Sequence, residues 1–191
     1  MAERRFSHAI AEGDGISVIA AVDDADAARA AESQRAEALV VWGDPSAIRE
    51  ATTLPILWRA DDRFDHAPAA DAVMLSFDED DESFADKHRR AVELGLDCAV
   101  AVHDEDSLEL VLDQVDPEIF LLSPGESEDG DTPLETVLDL LANVPAGKLA
   151  IADLPLTTPR EVQELERAGC DAVIVRTANL APLVGESPPE V

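Results

Sequence analysis

Leu94-Gly95-Leu96-Asp97-Cys98-Ala99-Val100-Ala101-Val102 is the stretch that decides the fold. A polar, helix-patterned segment, Glu82–Leu94, runs up to the glycine, and an almost unbroken run of small and β-branched residues follows the aspartate. Glycine at that place ends a helix as a left-handed cap. A short continuous apolar run reads as a strand buried on both faces, the kind found in parallel sheets. The same junction returns at Ala168-Gly169-Cys170-Asp171-Ala172-Val173-Ile174-Val175, and Ala70-Asp71-Ala72-Val73 keeps the aspartate without the glycine. A helix–Gly–x–Asp–strand junction used repeatedly marks stacked βα units.

Outward from these junctions, apolar runs occur at Ile16–Val22, Ala38–Trp42, Leu54–Trp58, Ala72–Phe77, Cys98–His103, Ile119–Ser123, Leu149–Asp153 and Ala172–Arg176. Helical patterns separate most of them: Ala25–Ala36, Pro45–Ala51, Glu82–Leu94, Glu105–Val115, Leu134–Asn143 and Pro159–Ala168. Thr158-Pro159-Arg160-Glu161 has the form of a capping box with proline at the first helical position, and Gly169 closes the same helix. Eight βα units predict an α/β chain folded as a (β/α)8 TIM barrel, here on 191 residues where about 200 is the usual minimum. The shortening falls on the third helix, where Arg63–Ala70 offers two turns and Pro68, and on the eighth, which stops at Pro182. An open doubly wound sheet is the alternative, but it usually has about five or six strands. The expected organisation is a short extension (1–14), one barrel (15–184) and a disordered tail (185–191).

With 14 Lys+Arg against 42 Asp+Glu the formal charge is −28, which excludes a phosphate-neutralising nucleic-acid surface. Only Lys87 and Lys148 are lysines, tyrosine is absent, and acidic residues occupy every polar segment. Such acidity predicts a halophilic protein, because concentrated salt screens the self-repulsion. No run approaches the roughly 18 apolar residues of a membrane span. Met1–His8 has no signal-peptide core, so the expected location is cytoplasmic and no membrane partner is expected. Cys98 and Cys170 open apolar runs and read as small buried hydrophobes. The four histidines show no ligand spacing, and no Gly-rich phosphate loop occurs, so neither a metal nor a cofactor is expected. Glu126, Glu128, Asp129 and Asp131 crowd the longest loop, where a solvated acidic loop is the simpler reading than a hard-cation site.

From about Leu54 to Val175 the chain resembles indole-3-glycerol-phosphate synthase. The resemblance rests on Leu54-Pro55-Ile56-Leu57, on Glu93–Asp97 followed by Val100-Ala101-Val102-His103-Asp104, and on Thr157–Val162 running through Ala168–Val173. It implies a (β/α)8 barrel that closes an indole ring with loss of carbon dioxide and water, a lyase of tryptophan biosynthesis. That chemistry uses a cationic general acid, carboxylates, and a phosphate cradle at the last two βα turns. This chain departs from the pattern. Ala21-Val22-Asp23 stands where the family's first strand ends in Glu-x-Lys, Arg59 replaces the acidic lysine, and Ala101 replaces the glutamate of strand five. Leu122-Ser123-Pro124 covers the asparagine region, and Asp153 alone keeps an acid where strand seven carries Glu. The phosphate turns read Leu154-Pro155 and Arg176-Thr177, with no glycine to bring backbone amides close. The family's long amino-terminal cover is reduced to about 14 residues.

At the strand ends stand Asp23, Asp24, Trp42, Asp44, Arg59, Ser76, His103, Asp104, Ser123, Asp153, Arg176 and Thr177. The candidate catalytic residues are Arg59, His103 and Asp153; the candidate anion-binding residues are Arg59, Arg176, Thr177, Asp23 and Ser123. Three functional classes stay open. A pseudoenzyme, kept as a binding or regulatory barrel, comes first given the lost residues. An enzyme of changed chemistry on a small anionic metabolite comes second, and residual synthase activity third. A silent barrel predicts a mouth filled by Trp42, Trp58 and Leu154. An enzyme predicts that Asp23, His103 and Asp153 converge on a pocket near Arg59 or Arg176. A protein partner or second copy would cover an apolar patch near the reduced helices.

Overall fold

The computed structural model describes residues 5–12, 15–59, 64–125, 132–156, 158–177 and 179–180. Eight parallel strands close into a barrel in sequence order: β1 (Ser17–Ala21), β2 (Ala38–Val41), β3 (Ile56–Arg59), β4 (Ala72–Ser76), β5 (Asp97–Val102), β6 (Ile119–Leu122), β7 (Leu149–Ala152) and β8 (Ala172–Val175). β8 pairs with β1 through Ile174 opposite Ile19, which closes the ring. Helices follow the strands: α1 (Arg5–Ala11) precedes β1, then come α2 (Ala25–Ser33), α3 (Ser46–Ala51), α4 (Phe84–Glu93), α5 (Glu105–Gln114), α6 (Pro133–Asn143) and α7 (Pro159–Ala168). This is a (β/α)8 TIM barrel.

Strand parity sorts the core into two layers. Ile19, Val40, Leu57, Met74, Ala101, Leu121, Ile151 and Ile174 pack inside the barrel. Their sequence neighbours, among them Val41, Trp58, Val102, Phe120 and Val175, pack outward against Ile48, Phe84, Leu108, Val137 and Leu165 of the helices. Both faces of every strand are therefore apolar, which accounts for the unbroken runs in the sequence.

Helix ends follow local chemistry. Thr158 and Glu161 form the reciprocal capping box, and Gly169 takes φ 93° as the left-handed cap of α7. Asp104 and Ser107 make the same arrangement at α5, as do Thr132 and Glu135 at α6. α2 stops three residues short of the expected Ala36 because Arg35 adopts φ 66°. The third helix is reduced further than expected, to a single 3-10 turn at Ala67–Ala69. The eighth-helix region after Ala178, the acidic loop 126–131 and the tail lie outside the described residues, apart from Asn179 and a buried Leu180.

The extension is itself structured. α1 seats Phe6 and Ile10, 0% and 2% exposed, inside the barrel's inner cluster. Ala38, Ala72 and Ala172 begin their strands as the smallest inward side chains, and they leave the space those two residues fill. Ser7 N donates to Asp97 Oδ2 at 2.9 Å, and Arg5 pairs with Asp71 at 3.2 Å. Both acids head strands, so α1 closes the amino end of the barrel and does not cover the mouth.

The recurrent acid before a strand has a structural task. Glu37, Asp71 and Asp171 precede β2, β4 and β8 and accept from Val18 N (2.8 Å), Ile56 N (2.9 Å) and Ala150 N (2.7 Å) respectively. Each satisfies an amide near the start of the preceding odd strand that would otherwise be a buried donor without a partner. Burial raises the pKa values of Glu37 and Asp171 above their ordinary range. No described helix is long and apolar enough to cross a membrane.

Candidate functional site at the barrel mouth

The inward parity of each strand carries to the residue at its carboxyl end, where active sites of this fold lie. Arg59 is the last residue of β3 and Ser76 the last of β4; His103, Ser123, Asp153 and Arg176 each follow a strand directly. Trp42 does the same after β2 and is half-buried. One ring therefore carries all three candidate catalytic residues and most of the candidate anion-binding residues.

The ring is divided into two halves. On one side a cavity of about 350 Å³ is lined by Ala21, Asp23, Trp42 and Arg176. The Arg176 guanidinium lies over the Trp42 ring, 5.3 Å from its centroid, and pairs with Asp153. Asp153 Oδ1 is buried and meets that guanidinium without an aligned hydrogen bond. Asp23 is exposed and, among the described residues, has no hydrogen-bond or ion-pair partner. A second cavity of about 230 Å³ continues outward between Ala27, Ala30 and Ala31 of α2 and Thr177 and Leu180.

On the other side, Ser123 Oγ lies 3.2 Å from His103 Nδ1. Gly125 packs against the His103 carbonyl, where an added Cβ would stand 3.2 Å from the oxygen, a contact tight enough that the turn would have to give by a few tenths of an ångström. Arg59 is exposed and has no ion-pair partner among the described residues.

Other candidates have structural tasks. Asp24 caps α2 by accepting from Ala27 N at 2.8 Å. Asp104 caps α5, and the Ser107 amide and hydroxyl hold its carboxyl below the ordinary range. Asp44 accepts from Ser46 N and pairs with His66 at 3.0 Å; hydrogen bonds from Ser46 lower its pKa. Thr177 Oγ1 accepts from Asn179 N. His103 and Asp153 do not line the cavity that Asp23 and Arg176 share, so the expected three-residue convergence is not formed there. The mouth filled by Trp58 and Leu154 that a silent barrel would show is not formed either. Both are buried in the outer layer, and Trp58 meets His66 edge to face at 5.6 Å.

Burial pushes both thiols, Cys98 and Cys170, up to about 12, which makes them inert at neutral pH. Among the described residues no group of three His, Cys, Asp or Glu side chains could hold a metal ion. Among the described residues the exposed large apolar side chains, Val92 and Leu94, stand at the end of α4.

The sequence carries a measurable relationship over about two thirds of its length, 68%. The chain is similar to indole-3-glycerol phosphate synthase. The relative from Geobacillus sp. (strain WCH70) is 28% identical over 138 residues, 68% of this chain. The chain spans about half the length of that relative, 53% of it. No family model matches the chain. Among solved structures, an N-acetylmannosamine-6-phosphate 2-epimerase from Clostridium perfringens superposes with a TM-score of 0.67 at 15% identity, covering 87% of each chain. A thiamine phosphate pyrophosphorylase from Pyrococcus furiosus gives 0.64 at 17% identity, covering 88% of this chain and 90% of its own. These structural likenesses carry the fold.

Proposed function

We propose that this chain is a degenerate synthase-like barrel that has given up indole ring closure and binds a small anionic ligand at its mouth. One observation carries the reading: Arg176 is held between Trp42 and Asp153 on the wall of a 350 Å³ cavity, while the inner positions beneath the mouth, Ala21 and Ala101, offer only methyl groups. A volume near 350 Å³ is at the small end of ligand pockets and suits a metabolite. Arg59 supplies a second cation on the rim. As a guanidinium it binds anions but is a poor proton donor, which argues against the family's acid catalysis. Pro155 offers no amide hydrogen where a phosphate cradle would need one. A ligand held without turnover makes the chain a binding or regulatory protein.

The His103–Ser123 contact favours a second reading, an enzyme of changed chemistry, since a base against a hydroxyl is the start of a nucleophilic pair. Turnover of any bound compound that vanishes in His103→Asn would establish it. We also read the charge of −28 as adaptation to concentrated salt.

Thermal unfolding in molar KCl against carboxylated and phosphorylated metabolites tests the main reading. Ligand binding to the folded state raises the midpoint, by about 2.7 kcal/mol of stability at a hundredfold excess over Kd. A rise that disappears in Arg176→Gln or Arg59→Gln supports the proposal. No rise with any compound, or ring closure of the synthase substrate, contradicts it.

A further inference from the structure

The cavity at the mouth carries two opposite charges and an aromatic ring, and that combination selects a ligand class. Resting on the reading of the mouth as a site for an anionic group, we infer that this group is the carboxylate of a zwitterion of the α-amino-acid type, held on Arg176 with the ligand's ammonium on Asp23. Arg176 presents a planar fork of donors matched to a carboxylate. Its charge is already shared with Asp153, and Asp23 on the same cavity is without a partner among the described residues. The three groups together leave one excess negative charge around the space. A phosphate dianion would enter against that excess, with no glycine turn to supply amides. A zwitterion brings no net charge and places each of its ends beside its complement. The ammonium relieves Asp23, and the carboxylate meets guanidinium donors other than the nitrogen that pairs with Asp153. Ala21, with no side chain beyond its methyl, leaves the floor beside Trp42 free for the ligand's apolar body.

Calorimetric titration in molar KCl with L-phenylalanine, 3-phenylpropionate, phenethylamine and inorganic phosphate separates the possibilities. L-Phenylalanine is expected to bind about tenfold or more tightly than either compound lacking one charge, with phosphate weakest. In Asp23→Asn the advantage over 3-phenylpropionate is expected to vanish while binding of 3-phenylpropionate itself persists. Asp23 is exposed, so the unfolding midpoint of the free variant serves as a check on its fold. Equal or tighter binding of 3-phenylpropionate or phosphate to the unaltered protein would overturn the zwitterion and leave the anion site standing. Binding of none of the four would overturn both. Preference for L-phenylalanine that survives Asp23→Asn would overturn the role of Asp23.

Discussion

The Arg176 guanidinium lies 5.3 Å above the Trp42 ring centroid, so the end of β8 is braced against the end of β2 across the end of β1. This contact fixes a long side chain that would otherwise sweep solvent, and it is the reason the cavity has a defined cationic wall. In a double-mutant cycle of Trp42→Ala and Arg176→Gln, followed by denaturant unfolding, the coupling is expected to be about 0.5–1 kcal/mol. Additive effects would show that the ring does not hold the guanidinium.

Phe6 plugs the opposite end, fully buried among inward alanines. Phe6→Ala is expected to cost about 3–5 kcal/mol, measured by denaturant unfolding in molar KCl. Ligand affinity at the mouth is expected to stay unchanged in the folded variant, since α1 touches the other end.

Asp171 is a test of the strand-heading acids. Asp171→Ala leaves Ala150 N without its 2.7 Å acceptor and is expected to cost about 1–3 kcal/mol. Asp171→Asn keeps an acceptor and removes a buried charge, so it is expected to match or exceed the unaltered protein at neutral pH. The pH dependence follows from the raised pKa. A carboxyl whose folded pKa lies above its unfolded value of 3.8 weakens the fold while ionised in it, and that penalty fades as pH falls through the folded pKa. The advantage of Asp171→Asn is therefore expected to shrink on acidification, as read by denaturation at a series of pH values.

With a formal charge of −28, self-repulsion falls as the Debye length contracts from about 10 Å at 0.1 M salt to about 3 Å at 1 M. The unfolding midpoint is expected to climb steeply over that range in KCl. A flat response would contradict the halophilic reading.

The barrel was legible because its signals are local and repeated. Gly95 and Gly169 stop helices by left-handed caps, Thr158 and Glu161 start one by reciprocal hydrogen bonds, and doubly buried strands need no alternation. The ring at the mouth was legible for the same reason, since a strand's last residues fall at one end of the fold. Three things were not. Phe6 and Ile10 form one short helical stripe with no cap or periodic run to announce it, so α1 looked like an extension. Trp58, a mouth-filling residue only on the silent-barrel reading, packs in the outer layer because it precedes Arg59 and adjacent strand residues face opposite ways. The division of the ring into a Trp42–Arg176 half and a His103–Ser123 half depends on side-chain rotamers, which a linear pattern does not encode.

Trp42 also supplies the most direct test of the mouth as the binding site. The chain has two tryptophans and no tyrosine, and Trp58 is buried away from the mouth, so Trp58→Phe leaves Trp42 as the sole reporter. Titrating this variant with carboxylated metabolites, L-phenylalanine among them, in molar KCl is expected to change Trp42 emission saturably, and Arg176→Gln is expected to abolish the change. A compound that raises the unfolding midpoint but leaves Trp42 emission unaltered would place the binding site elsewhere and contradict a ligand at the barrel mouth.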